Sequence, residues 1–287
     1  MQTFLPWPDL GRSAADLDGP RLGKQRVETL QILRALTFPD YGWGRHPAVL
    51  MWRGFEAGLA CYGLAMVQDW RARGRADSTA EQLAEFAPAL AARFQGARDG
   101  TAMLRDAGEL PPWFGDPEFH AAHRGNLVRK DPAHYAPLYP EADPGAEYVW
   151  PEASRPPAEP DAHPVPVLRL DAAAAEIWRE SGIVRLGRAS PRGSLRSPVW
   201  RRQLERFAGF AVGERLLLLD NEDTQLTPVR LRGAAVERER AAQPGIERGV
   251  EITGDAFARS GLPRPVQTQN PRTLFDVAAP ESLDASV

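Results

Sequence analysis

Through the first half of the chain apolar residues recur at helical spacing; after a proline-rich break they give way to short strand-like runs. A helix is predicted from just after Asp18, a good N-cap residue, with Pro20 in its first turn, to about Leu36. Val27, Leu30, Leu33 and Leu36 form its expected buried stripe, while Arg21, Lys24, Glu28 and Gln31 share a different face. Arg26 falls within the apolar stripe, where it either snorkels to solvent or is held by a partner. A second helix is expected from Pro47 to about Arg73, apolar almost all round and therefore central, with Gly54, Gly58 and Gly63 permitting close helix contact. Ser78-Thr-Ala-Glu81 has the form of a capping box for a third helix, which Pro88 kinks or ends. Asp116-Pro117 opens a fourth, stopped near Lys130 by Asp131-Pro132.

Beyond the break, residues 165–170, 183–186, 215–219 and 229–231 read as strands. Asp171 caps a helix reaching Trp178, and a further helix lies near 198–207. The segment 151–166 carries six prolines and reads as a stiff, solvated linker. The expected fold is an all-α N-terminal helical domain over residues 1–150, a small α+β C-terminal domain over 167–276 and a mobile tail over 277–287. A length of 287 residues suits two cores rather than one.

Composition narrows the classes. Hydrophobic content of 43% and charged content of 25% are those of an ordinary globular chain. The single cysteine, Cys61, excludes an internal disulfide framework and sits in an apolar run, so a buried inert thiol is expected. No secretory-type leader opens the sequence and no run of apolar residues is long enough to span a bilayer, so a cytoplasmic protein without a membrane partner is expected. Net charge is −3, all of it in the first 150 residues, so contact with nucleic acid has to come from local patches.

Four constellations could carry chemistry. Of 35 basic residues only Lys24 and Lys130 are lysines, and a primary amine can be tuned by its surroundings where a guanidinium cannot. Lys24 and Glu28 form an i,i+4 pair that is either a surface salt bridge or part of a carboxylate set among Arg21, Lys24 and Arg26, able to stabilise a developing cation. On the fourth helix His123, Asn126 and Lys130 are expected to line a polar groove. His120 and His123 alone are too few for a metal site, so no metal or other cofactor is expected. His46, before Pro47, reads as a helix cap. Trp43, Trp52 and Trp113 read as packing residues, although a tryptophan exposed beside the groove would offer a platform for a displaced base. In the second half Arg185, Arg188, Arg192, Arg196, Arg201, Arg202 and Arg206 fall within 22 residues containing one acid, Glu205, and are candidates for phosphate contacts or simply a solvated face.

The stretches Met1-Gln-Thr-Phe-Leu-Pro6, Arg21-Leu-Gly-Lys-Gln-Arg-Val-Glu28, Gly44-Arg-His-Pro-Ala-Val-Leu-Met-Trp52, Pro111-Pro-Trp-Phe114 and His123-Arg-Gly-Asn-Leu-Val-Arg-Lys-Asp-Pro-Ala-His-Tyr135 resemble, as a set, a bacterial family grouped with the pyrimidine-dimer DNA glycosylases of the endonuclease V type. The resemblance covers residues 1 to about 150 and implies a compact all-α, endonuclease V-like domain acting on damaged double-stranded DNA. It implies a glycosylase with associated lyase activity, in which an N-terminal α-amine attacks the sugar C1′ and a glutamate on an early helix is essential. That glutamate falls on Glu28. Gln2 is a bulky second residue that disfavours methionine removal, so the amine would be that of Met1, with Lys24 or Lys130 as substitutes. Arg21, Gln25, Arg26, His46, His123, Asn126 and Lys130 become the substrate-binding candidates, joined by Arg192, Arg196, Arg201 and Arg202 from the second half. Two other functions remain open: a non-catalytic nucleic-acid-binding protein, and an enzyme acting on a small nucleotide-like substrate.

Overall fold

The computed structural model describes residues 1–38, 41–94, 100–152, 155–156, 164–187, 198–220, 225–238 and 245–279. Two compact units divide the chain, Met1–Glu159 and Pro160–Val287.

The described part of the first unit is helical: α1 (Leu10–Asp16), α2 (Gly19–Thr37), α3 (Pro47–Leu50), α4 (Glu56–Ala72), α5 (Ala80–Ala84), α6 (Pro88–Phe94), α7 (Gly100–Asp106), α8 (Pro117–Lys130) and α9 (Pro132–Tyr135). Helix starts follow local chemistry. Asp18 caps α2 by accepting from the Arg21 amide at 2.7 Å, and Asp116 caps α8 by accepting from the Glu118 amide at 2.9 Å. The expected long second helix is instead α3 and α4, separated by a turn in which Gly54 takes φ +80°, a conformation that ends regular helix and suits glycine alone. Ser78 does not cap the next helix. The Asp77 carboxylate does so, accepting from the amides of Thr79 (3.0 Å) and Ala80 (2.9 Å), and Pro88 opens α6 rather than kinking α5.

Helices α2 and α4 form the centre of this unit. A side chain on Gly58 would collide with the Glu109 carbonyl, and one on Gly63 would press on Thr29 and Leu83, so both glycines permit close packing. The buried face of α2 differs from the expected stripe. Val27 is 43% exposed and Leu36 half-buried, whereas Leu22, Gln25, Glu28, Thr29, Leu30, Ile32 and Leu33 are buried. That arc runs i, i+3, i+7, i+10 from Leu22 through Gln25, Thr29 and Ile32, and two of its members are polar, so apolar periodicity alone does not reveal it. Cys61 is fully buried, and burial pushes its thiol up to about 12.

The second unit is a seven-stranded mixed sheet with helices. Its elements are β1 (Pro164–Leu170), α10 (Ala172–Ser181), β2 (Ile183–Gly187), α11 (Pro198–Gly209), β3 (Arg215–Asp220), β4 (Gln225–Arg238), β5 (Gly245–Ile252), β6 (Phe257–Ala258) and β7 (Leu274–Ala278). The strand order is β2-β5-β4-β3-β1-β7, with β6 paired to β4; only β1 and β3 run parallel. Along β3, Leu216 and Leu218 join Trp200 and Phe207 of α11 in one core, while Leu217 and Leu219 join Leu226, Phe275 and Val277 in a second on the opposite face.

Two segments depart from the expected boundaries. Pro164 and Pro166 belong to β1 rather than the linker; at these positions β1 pairs only with β7, and pairing with β3 starts at Val167, so the missing amides cost the ladder little. Arg155, also read as solvated linker, is anchored to the helical unit by bonds to the carbonyls of Gly54 (2.9 Å) and Gly108 (2.8 Å). Val277 and Ala278, read as mobile tail, are buried ends of β7; residues 280–287 lie outside the described residues.

Candidate active site

The first six residues form an extended segment held at almost every position by the helices. The Gln25 side chain of α2 donates to the Gln2 carbonyl at 2.8 Å and accepts from the Phe4 amide at 2.9 Å. Trp52 donates its indole N–H to the Thr3 hydroxyl at 3.0 Å, and the Tyr62 hydroxyl donates to the Phe4 carbonyl at 3.1 Å. On α8, His123 Nδ1 accepts from the Leu5 amide at 2.9 Å while His120 Nδ1 faces the Leu5 carbonyl at 2.8 Å. Arg124 donates to the Pro6 carbonyl at 2.7 Å. These buried backbone groups thus exchange water for specific partners.

This anchoring brings the α-amine of Met1 within 3.8 Å of Glu28 Oε1. Glu28 is 8% exposed; its Oε2 accepts from Gln25 Nε2 at 3.2 Å, and Lys24 Nζ lies 3.4 Å from Oε1. Lys24 itself has a largely exposed side chain, so as an ion pair it adds only a few tenths of a kcal/mol. Arg21 pairs with Asp18, lies 3.7 Å from Asp131 and covers the Tyr135 ring. Lys130 is pushed down by partial burial and by the neighbouring charges of Arg21, Arg129 and Lys24, with Glu28 opposing. His46 caps α3 by accepting from the Ala48 amide at 3.1 Å; burial and the Met1 amine hold it below its ordinary range, with Glu28 opposing. The same carboxylate therefore contacts Met1, Lys24 and Gln25, and its charge reaches His46 and Lys130.

Residues 1–82 match the family model of pyrimidine dimer DNA glycosylase. No curated protein and no solved structure matches the chain. The match to that model contains Met1, Arg21, Lys24, Gln25, Arg26, Glu28 and His46; Lys130, at the end of α8, lies beyond it and feels the charges of Arg21, Lys24 and Glu28.

Several candidates sit elsewhere than expected. Gln25, His123 and Asn126 line no groove: all three are buried. Gln25 and His123 hold the N-terminal segment, and Asn126 bonds the carbonyls of Ala122 (2.8 Å) and Ala146 (3.1 Å). Arg26 is held by Asp77 and stacks over Trp70, away from the carboxylate. Trp52 and Trp113 are core residues as expected, but Trp43 is 63% exposed. In the second unit Arg201 and Arg202 are exposed on α11, while Arg185 pairs with Glu247 and Arg206 with Asp276; Arg188, Arg192 and Arg196 lie outside the described residues. The arginine-rich stretch is thus partly neutralised by carboxylates distant in sequence. Among the described residues no helix is long and apolar enough to cross a membrane, and none of the His, Asp, Glu or Cys groupings suits a metal ion.

Burial holds His123 down at about 3, with His120 a lesser cause. Its folded value lies below its ordinary 6.5, so between those limits the unfolded chain binds more protons and stability falls as pH falls. We expect the unfolding free energy to decline by about 1.4 kcal/mol per pH unit from this residue alone as the pH drops below 6.5. Urea midpoints of wild type and His123→Gln between pH 6.5 and 5 check this; parallel profiles would refute it.

Proposed function

We propose that the protein is a DNA-repair glycosylase with associated lyase activity, acting on damaged pyrimidines in duplex DNA. The observation that carries this reading is the Met1 α-amine held 3.8 Å from the buried Glu28 carboxylate, at the end of a segment matched to the glycosylase family. An amine beside a carboxylate has a proton acceptor at hand, and a carboxylate facing a sugar C1′ opposes the positive charge that develops there.

In this reading the unprotonated amine attacks C1′ as the C1′–N bond to the base breaks and the base leaves with the bonding pair. Glu28 takes a proton from the attacking nitrogen and returns it to the ring oxygen, which opens the sugar and leaves an iminium between Met1 and C1′. Loss of a proton from C2′ then expels the 3′ phosphate by β-elimination, and water releases the amine. Lys24, Arg21 and Lys130 face the flanking phosphates. Exposed Arg201 and Arg202 contribute sequence-independent phosphate contacts.

Borohydride trapping on UV-irradiated duplex tests the reading. Reduction of the iminium should give a covalent protein–DNA adduct whose peptide mass places it on Met1. An adduct on Lys24 or Lys130 would move the nucleophile to that residue. With no adduct, no base release and no strand cleavage on several damaged duplexes, the enzymatic reading falls. Weak, salt-insensitive DNA binding would then favour a small nucleotide-like substrate at the same carboxylate.

A further inference from the structure

We propose that Trp43 is a stacking platform for an unpaired nucleobase, set at the edge of the Met1–Glu28 site. The inference rests on the reading of that site as one that takes DNA and adds the part that holds the base.

Trp43 is unusual in two independent ways. It is 63% exposed in a unit that buries Trp52 completely and Trp113 nearly so. Its backbone adopts φ 74°, and it is the one residue other than glycine to do so among the described residues. A bulky side chain in this left-handed region is disfavoured, whereas its neighbours Gly42 and Gly44 could adopt it freely and do not. The strain falls on the residue with the large aromatic face, an arrangement that presents that face to solvent at a cost the packing of the free protein does not explain.

The surroundings say what the face is for. Trp43 meets His46 edge-on at 5.7 Å, and Trp150, the other exposed tryptophan of this unit, meets the same histidine at 5.9 Å. Tyr148 continues the row at 5.4 Å from Trp150. A T-shaped contact covers at most one face of a ring, and Trp43 at 63% exposed keeps aromatic surface open to solvent. The row lies within electrostatic reach of the carboxylate: His46 responds to the charges of both Met1 and Glu28, and Tyr148 to those of Arg129, Arg21 and Glu28. Lys24 approaches the carboxylate to 3.4 Å, and Lys130 and the histidine of the aromatic row both feel its charge. Aromatic faces suit a base of any sequence, cations suit phosphates, and the amine is the group that would attack the sugar joining them. A base can reach Trp43 only when it has left the duplex stack.

The test compares wild type with Trp43→Gly and Trp43→Phe on two duplexes, one UV-irradiated and one carrying an abasic site. Glycine accepts φ 74°, so Trp43→Gly should melt at or above the wild-type temperature, which removes misfolding as an explanation. Its loss of base release on the irradiated duplex should exceed its loss of borohydride trapping on the abasic duplex by about tenfold, because the abasic sugar has no base to stack. Trp43→Phe should recover most of the difference. Equal losses on the two duplexes, or a phenylalanine variant no better than glycine, would overturn the proposal. Should wild type prove inactive on every duplex, the catalytic reading fails by itself, and binding of an oligothymidylate decides the platform. A weakening of about tenfold in Trp43→Gly sustains it, and unchanged binding overturns it.

Discussion

Glu28→Gln is expected to lower base release and strand cleavage by about 10²–10⁴-fold, the range associated with losing a positioned proton-transfer group. The substitution is nearly isosteric. The new amide oxygen can still accept from Gln25 Nε2, so the anchoring of the first six residues should survive and the melting temperature should move little. What disappears is the negative charge that faces the Met1 amine at 3.8 Å and Lys24 at 3.4 Å. Without it the amine loses its proton acceptor, and the cation that develops at C1′ loses its stabilising partner. Affinity for DNA should hold or rise, since removing one carboxylate from among Arg21, Lys24 and Lys130 leaves the surface more positive. A variant that binds DNA like wild type and also keeps most of the wild-type cleavage rate would sink the catalytic role. Unchanged binding with no activity in either protein would leave a nucleic-acid-binding module.

The pairing of Glu28 with Lys24 was legible in the sequence because both lie at i,i+4 in a short polar motif on a helix whose start is marked by Asp18 and Pro20. The helices beginning at Asp116 and Asp171 and most strands of the second unit were legible for the same reason: local caps and periodicity determine them. What was hidden depends on contacts distant along the chain. His120 and His123 look like a surface or metal pair at i,i+3, yet both serve the backbone of Leu5, more than a hundred residues earlier. Strand β5 was missed because Gly245 and Gly249 and three charged residues dilute its pattern, and Arg248 on it is buried only by virtue of the carbonyls of Phe207, Phe210 and Gly233. Helix α1 is seven residues long, too short for periodicity to single out, although Asp9 caps it. Trp43 was read as core from its residue type; its exposure follows from a backbone angle that sequence does not report.

The residue most misjudged, Gln25, should also have the largest structural consequence. It was grouped with substrate-binding side chains because it lies between Lys24 and Arg26, but its position in the buried arc after Leu22 and before Thr29 was the available signal that it faces inward. One amide side chain there performs four tasks: it donates to the Gln2 carbonyl and to Glu28, accepts from the Phe4 amide, and shares the single Tyr62 hydroxyl proton with the Phe4 carbonyl. Gln25→Leu keeps the approximate volume and removes all four. Two buried polar groups, the Gln2 carbonyl and the Phe4 amide, then lose a partner while the Tyr62 hydroxyl keeps the Phe4 carbonyl, and the expected destabilisation is on the order of 2 kcal/mol, measurable by urea unfolding. The functional loss should be larger than this implies. The Met1 amine is aimed at Glu28 by the segment that Gln25 holds, and displacement of a reacting group by about 1 Å costs roughly 10²-fold in rate. Activity should therefore be compared well below the variant's melting temperature, per folded molecule. A folded Gln25→Leu protein that still traps abasic DNA at the wild-type rate would show that the remaining anchors at Trp52, Tyr62, His120 and His123 aim the amine without it. The expected result is the opposite: a stable enough protein whose amine no longer meets the sugar, because the group that reads the backbone of residues 2 to 4 is also the group that touches the carboxylate.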